Sequence, residues 1–127
     1  MDAPPQVLVV DDERTAREIL VLTFSLAGFT VEAAEDGDDA LRAVERFEPE
    51  VVVTDLHMPR MDGGELTDRL AERYGSLGPR VVMATGDSRG ALELRQDHRF
   101  FAVMTKPLDP AVLIRTVREA ADARRCA

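Results

Sequence analysis

Val51-Val52-Val53-Thr54-Asp55-Leu56-His57-Met58-Pro59 decides the fold. Three valines, bounded by Glu48-Pro49-Glu50 before and a Pro-containing loop after, predict a short strand buried on both faces. Such strands belong to parallel sheets covered by helices, because a sheet with one wet face would alternate apolar and polar residues. This one ends on a carboxylate. An Asp in that place ordinarily starts a turn or caps a helix, so the reading of Asp55 depends on what the other strands end on.

Outward from this stretch the chain repeats the pattern. Residues 6–10 (QVLVV) form an apolar run ending on Asp11-Asp12, and residues 13–28 place Ala16, Ile19, Leu20, Thr23 and Ala27 at helical spacing, with an acidic start and a stop at Gly28. Residues 29–33 alternate as a half-exposed edge strand does, and after Asp36-Gly37 a helical stripe runs through Ala40, Leu41, Val44 and Phe47. Past the central strand, Met61-Asp62-Gly63-Gly64 turns the chain into a helix with Leu66, Leu70 and Tyr74 on one side, broken by Gly75, Gly78 and Pro79. Residues 81–84 are the fourth apolar run, ending on Thr85-Gly86-Asp87; residues 88–98, with Gly90 and few apolar side chains, form the least secure helix. Residues 101–104 are the fifth strand and end on Thr105-Lys106-Pro107. Asp109 caps a last helix with Pro110 at its first position and Leu113, Val117, Ala120 and Ala121 inward. Five strands alternating with five helices, four strands apolar on both faces, specify a doubly wound α/β domain with a five-stranded parallel sheet.

Composition narrows the classes of function. The 127 residues suit one domain, 1–127, with its core over about residues 6–124, and no output domain is expected. A net charge of −8 argues against a nucleic-acid surface, which needs clustered cations. No apolar run approaches the roughly 18 residues that span a bilayer, and Met1-Asp2-Ala3-Pro4-Pro5-Gln6 lacks the basic and apolar regions of a leader, so a cytoplasmic protein is expected. Cys126 alone forms no internal disulfide. His57, His98 and one terminal Cys are too few soft ligands for zinc, so a bound metal would be an oxygen-loving one. Of 16 basic residues only Lys106 is a lysine; a compact ammonium and a planar fork differ in a tight site.

In a doubly wound sheet, ligands bind outside the carboxyl ends of the strands, where the strand order reverses. Asp11, Asp12, Asp55, Thr85 and Lys106 all stand at carboxyl ends. Three carboxylates about 5 Å apart repel by roughly 3 kcal/mol per pair at an effective dielectric of about 20, which one ammonium does not offset. A divalent cation does, and an all-oxygen site open to water and phosphate oxygens suits Mg²⁺, or Mn²⁺. The hydroxyl and ammonium would face the anion the metal attracts, and a carboxylate beside them is equipped to take up a phosphoryl group as an acyl phosphate.

Through VLVVDDE, VVVTDLHMPRMDGGEL, VVMATG and VMTKPL, over residues 6–124, the chain resembles the receiver domains of two-component response regulators, in layout the stand-alone chemotaxis regulator. The resemblance implies a flavodoxin-like strand order 2-1-3-4-5. It implies Asp55 as phospho-acceptor, Asp12 and Asp55 as side-chain ligands of Mg²⁺, Asp11 as a ligand through water, and the backbone carbonyl of His57 as a further ligand. Thr85 matches the hydroxyl that moves onto the phosphoryl group, Lys106 the ammonium that pairs with it, and Lys106-Pro107 the bond that is usually cis. The implied partners are a histidine kinase or histidine phosphotransfer protein and a downstream protein on the face of the fourth helix, fifth strand and fifth helix. The protein would be a monomer or a phosphorylation-dependent dimer, and would catalyse only its own phosphorylation and dephosphorylation. One position departs from the pattern: three residues before the lysine the family carries Tyr or Phe, here Val103, and Phe101 has the right parity but lies about 6.6 Å further along the strand.

Three alternatives carry the same parts. A haloacid-dehalogenase-type Mg²⁺ phosphatase also uses Asp, Thr, Lys and paired acids, but its nucleophile ends the first strand, whereas here the acid pair comes first. A phosphate-blind interaction module would not need every acceptor-site residue. The chain could also be a receiver excised from a hybrid histidine kinase. His57, two residues after Asp55, sits where the family tunes hydrolysis of the acyl phosphate, or is an exposed bystander; His98 has no evident partner.

Overall fold

The computed structural model describes residues 3–127, so the first two residues of the N-terminal stretch read for a leader lie outside it. Its elements are β1 (Gln6–Val10), α1 (Arg14–Leu26), β2 (Thr30–Ala34), α2 (Gly37–Phe47), β3 (Val51–Thr54), α3 (Gly63–Tyr74), a 3₁₀ turn (Gly75–Leu77), β4 (Arg80–Thr85), α4 (Ser88–Leu94), β5 (Ala102–Thr105) and α5 (Pro110–Arg125). All pairings are parallel and the sheet order is β2-β1-β3-β4-β5. This is the doubly wound order expected, with its reversal between β1 and β3.

Strand period sorts the core into two layers. Leu8, Val10, Val52 and Met83 pack with Ala40 and Val44 of α2 and Leu66 and Leu70 of α3. Val7, Val9, Val51, Val53, Val82 and Ala84 face Phe24 of α1 and Leu113 and Val117 of α5. Neither layer leaves β1 or β3 a wet face, hence their unbroken valine runs. Among the described residues no helix is long and apolar enough to cross a membrane.

Register carries the chemistry. Val10 pairs with Thr54 and Thr85 with Thr105, so Asp11 and Asp55 leave adjacent strands side by side and Lys106 leaves beside Thr85. Hydrogen bonds from Asp55 N to the Val10 carbonyl (3.1 Å) and from Lys106 N to the Thr85 carbonyl (2.8 Å) continue the ladder into the site.

Four local readings are corrected. The inward stripe of α1 is Leu20, Phe24 and Ala27; Ile19 is 58% exposed, because at 100° per residue it points about a quarter-turn away from Leu20. The helix begins at Arg14 with Glu13 as its cap and no acid in its first turn. α4 stops at Leu94 rather than running to residue 98, which leaves it seven residues long. Finally, β5 starts at Ala102 and is only half-buried along its length. It is an edge strand, and its apolar run is indistinguishable in sequence from a central one; Phe101, just outside it, is 39% exposed.

Candidate functional site

The carboxyl ends of β1, β3 and β5 converge on one acidic mouth. Asp11, buried to 2% exposure, the exposed Asp12 and the half-buried Asp55 each offer an oxygen within 4.8 Å of the others. Lys106 spans two of them, its Nζ donating to Asp55 Oδ2 (3.1 Å) and Asp11 Oδ2 (3.3 Å). Asp55 Oδ1 accepts from Leu56 N–H (2.7 Å), and Asp11 Oδ1 from Glu13 N–H (2.9 Å). Burial works to lower the Lys106 pKa, but the Asp55 hydrogen bond and the charges of Asp11 and Asp55 outweigh it and leave the pKa raised, so the ammonium is charged throughout the physiological range.

The loop after Asp55 is held closely. A Cβ on Gly63 would stand 2.3 Å from the Asp55 carbonyl oxygen, and Gly63 N–H donates to the Leu56 carbonyl (2.7 Å), so this glycine lets α3 begin hard against the acceptor strand. Arg60 has a left-handed φ of 68° and donates to Asp36 Oδ2 (2.8 Å), tying the loop to the residue that caps α2.

Thr85 ends β4, 1% exposed, and its Oγ1 accepts from Asp87 N–H (3.1 Å). The Lys106–Pro107 peptide bond is cis. His57 turns its ring outward, and Nε2 lies 2.7 Å from Asp87 Oδ2. Sequence reasoning left His57 without a partner and passed over Asp87, whose one sequence signal is an acid three residues before Gly90 at a helix start. His98 is exposed.

The donor set fits an oxygen-loving divalent cation: three carboxylates converge, and the one ammonium reaches only two of them, leaving Asp12 uncompensated. Asp11, Asp12, Asp55 and the backbone carbonyl of His57 are the groups that would hold it.

The Asp87 hydrogen bond raises the His57 pKa; burial opposes it and is outweighed, and the charges of Asp87, Asp55 and Asp62 add to the rise. The same bond, with Gly90 N–H, lowers that of Asp87. A raised folded-state pKa means that the pair's contribution to stability is fully present below the ordinary imidazole value of about 6.5 and is lost as pH rises through the folded value. On the acid side it is lost as pH falls through the lowered pKa of Asp87. Ring resonances of His57 followed by NMR should titrate with a midpoint above 6.5, moving down in Asp87→Asn; a parent midpoint at or below 6.5 would mean that the pair does not form in solution.

Comparison with known proteins agrees with this geometry. The family model for the response regulator receiver domain matches residues 7–118. Response regulator MprA of Mycobacterium sp. (strain KMS) is 41% identical over 85 residues, 67% of this chain and 36% of its own length. The C4-dicarboxylate transport transcriptional regulatory protein DctD of Rhizobium meliloti (strain 1021) is 31% identical over 125 residues, 98% of this chain and 27% of its own. Among solved structures, chemotaxis response regulator CheY4 of Vibrio cholerae superposes with a TM-score of 0.80 at 26% identity, over 92% of this chain and 98% of that one. The chain belongs to the response regulator receiver family. It spans about a third of the length of MprA and about a quarter of that of DctD.

Proposed function

We propose that this receiver takes a phosphoryl group onto Asp55 from a phosphohistidine on a histidine kinase or histidine phosphotransfer protein, and signals by altered binding of a downstream protein. The observation that carries the reading is the pairing of Asp55 Oδ2 with the only lysine of the chain, at a mouth that also holds Asp11 and Asp12. In the transfer a carboxylate oxygen of Asp55 forms a bond to phosphorus as the phosphorus–nitrogen bond of the donor imidazole breaks, the nitrogen keeping the electron pair. Leu56 N–H orients the carboxylate, and Lys106 supplies charge to the phosphoryl oxygens. Mg²⁺, when bound, neutralises charge shared by the acids and the phosphoryl group.

The protein is on this reading no enzyme toward outside substrates, acting only in its own phosphorylation and dephosphorylation, and it works in the cytoplasm. The donor approaches from the side where the exposed Ile19 of α1 lines a groove together with Lys106 and Pro107; the downstream partner uses α4, β5 and α5. The test is incubation with a small phosphodonor and Mg²⁺. A single phosphoryl group that hydroxylamine removes is expected, with no turnover of a generic phosphate ester. Steady hydrolysis of the ester would instead make the protein a phosphatase, and a hydroxylamine-stable label would rule out an acyl phosphate.

A further inference from the structure

Asp87 takes part in three contacts at once. Its N–H donates to Thr85 Oγ1 (3.1 Å), its Oδ1 accepts from Gly90 N–H (2.9 Å) at the head of α4, and its Oδ2 meets the His57 ring at 2.7 Å. One residue therefore joins the hydroxyl at the end of β4, the first turn of α4 and the loop two residues beyond Asp55. Gly90, which weakens a helix by propensity, serves this arrangement: a Cβ there would lie 2.6 Å from Asp87 Oδ2 and 3.0 Å from Leu56 Cδ2. The helix so fastened has only seven residues, and its one fully buried side chain is Ala91. Besides its cap, only Ala91 and the partly buried Leu94 tie it to the core among the described residues. Val103 offers no ring to follow the Thr85 hydroxyl inward, so a signal has to leave the site by another route.

We propose that Asp87 is a positioning residue that holds the Thr85 hydroxyl and the head of α4 in the unphosphorylated arrangement, latched by the His57 ring, and that opening this latch carries the signal to α4. The proposal rests on Asp55 being the phospho-acceptor. A phosphoryl group there gives Thr85 Oγ1 a stronger acceptor and the His57 ring a second anion to approach. When the hydroxyl turns to it, Asp87 N–H loses its acceptor; when the ring follows, Oδ2 loses its donor. The two anchors of Asp87 outside α4 are released by one event.

Hydrogen exchange of the full chain, read at Ser88–Leu94, tests this in three variants. Unphosphorylated His57→Ala should exchange about two- to fivefold faster than the parent there, the range set by an exposed charge pair, with α1 and α5 unchanged. His57→Gln, whose amide can still donate to Asp87, should return exchange toward the parent rate. Asp87→Asn, which keeps a cap for Gly90 N–H but gives up the charge, should fall between. After phosphorylation the parent should gain exchange in the same segment, and His57→Ala should gain less. Equal exchange of parent and His57→Ala without phosphate overturns the latch, and so does an increase spread equally over α1 and α5. That arm needs no phosphoryl group and decides the latch even if Asp55 takes no label, whereas absence of label in the parent contradicts only the function on which the signalling step rests.

Discussion

Asp55→Asn is expected to reduce phosphoryl uptake from a small donor to background, the largest effect of any single substitution in this chain. An amide oxygen is a far weaker nucleophile than a carboxylate, and the amide removes one of the two charges that Lys106 spans. The fold should survive, because Asp55 N–H bonds the Val10 carbonyl through the main chain and the amide oxygen can still accept from Leu56 N–H. Uptake measured by intact mass, beside a melting curve for each protein, checks both halves. Labelling of a folded Asp55→Asn protein at the parent's level would move the acceptor to another residue.

The second large effect concerns the metal. Mg²⁺ at about ten times its dissociation constant should stabilise the folded domain by roughly 1.4 kcal/mol, which for a chain of this length is about 5 °C in melting temperature. Asp12→Asn should nearly abolish that gain. The exposed Asp12 carries no ion pair among the described residues, whereas Asp11 and Asp55 share Lys106, so its charge is the uncompensated one. Neutralising it removes repulsion and a ligand together. The variant should therefore melt no lower than the metal-free parent while responding little to Mg²⁺. If it melts lower and still responds as strongly, Asp12 is a structural residue outside the metal site.

These expectations come from positions that were readable without coordinates, for a physical reason. Strands buried on both faces appear as unbroken apolar runs, and the first polar residue after each run marks a carboxyl end. Asp11 and Thr85 are located that way, Asp55 stands one residue past Thr54, the first polar residue after the valines, and the parallel pairing of β1 with β3 brings the two acids together. The phase of α1 was less legible, because Ile19 and Phe24 both fit an apolar stripe and only packing against Phe29, ring centroids 5.2 Å apart, selects Phe24. β5 read as buried because an edge strand that packs one face under helices is as apolar as a central one. The partner of His57 lies thirty residues away in sequence, and no spacing rule links them. Nor could Gly90 be read as more than a weak point in a helix, since its role is a close approach to Asp87 and Leu56 that exists only once the two loops meet.

The central claim, that Asp55 is where this receiver carries its phosphoryl group, is tested most directly by borohydride reduction of the phosphorylated protein followed by peptide mass spectrometry. Reduction converts an aspartyl phosphate to homoserine and leaves free carboxylates untouched. Homoserine at position 55, dependent on both phosphodonor and Mg²⁺, is the predicted result. Homoserine at position 11 or 12, or a phosphorylated protein with none, would contradict it.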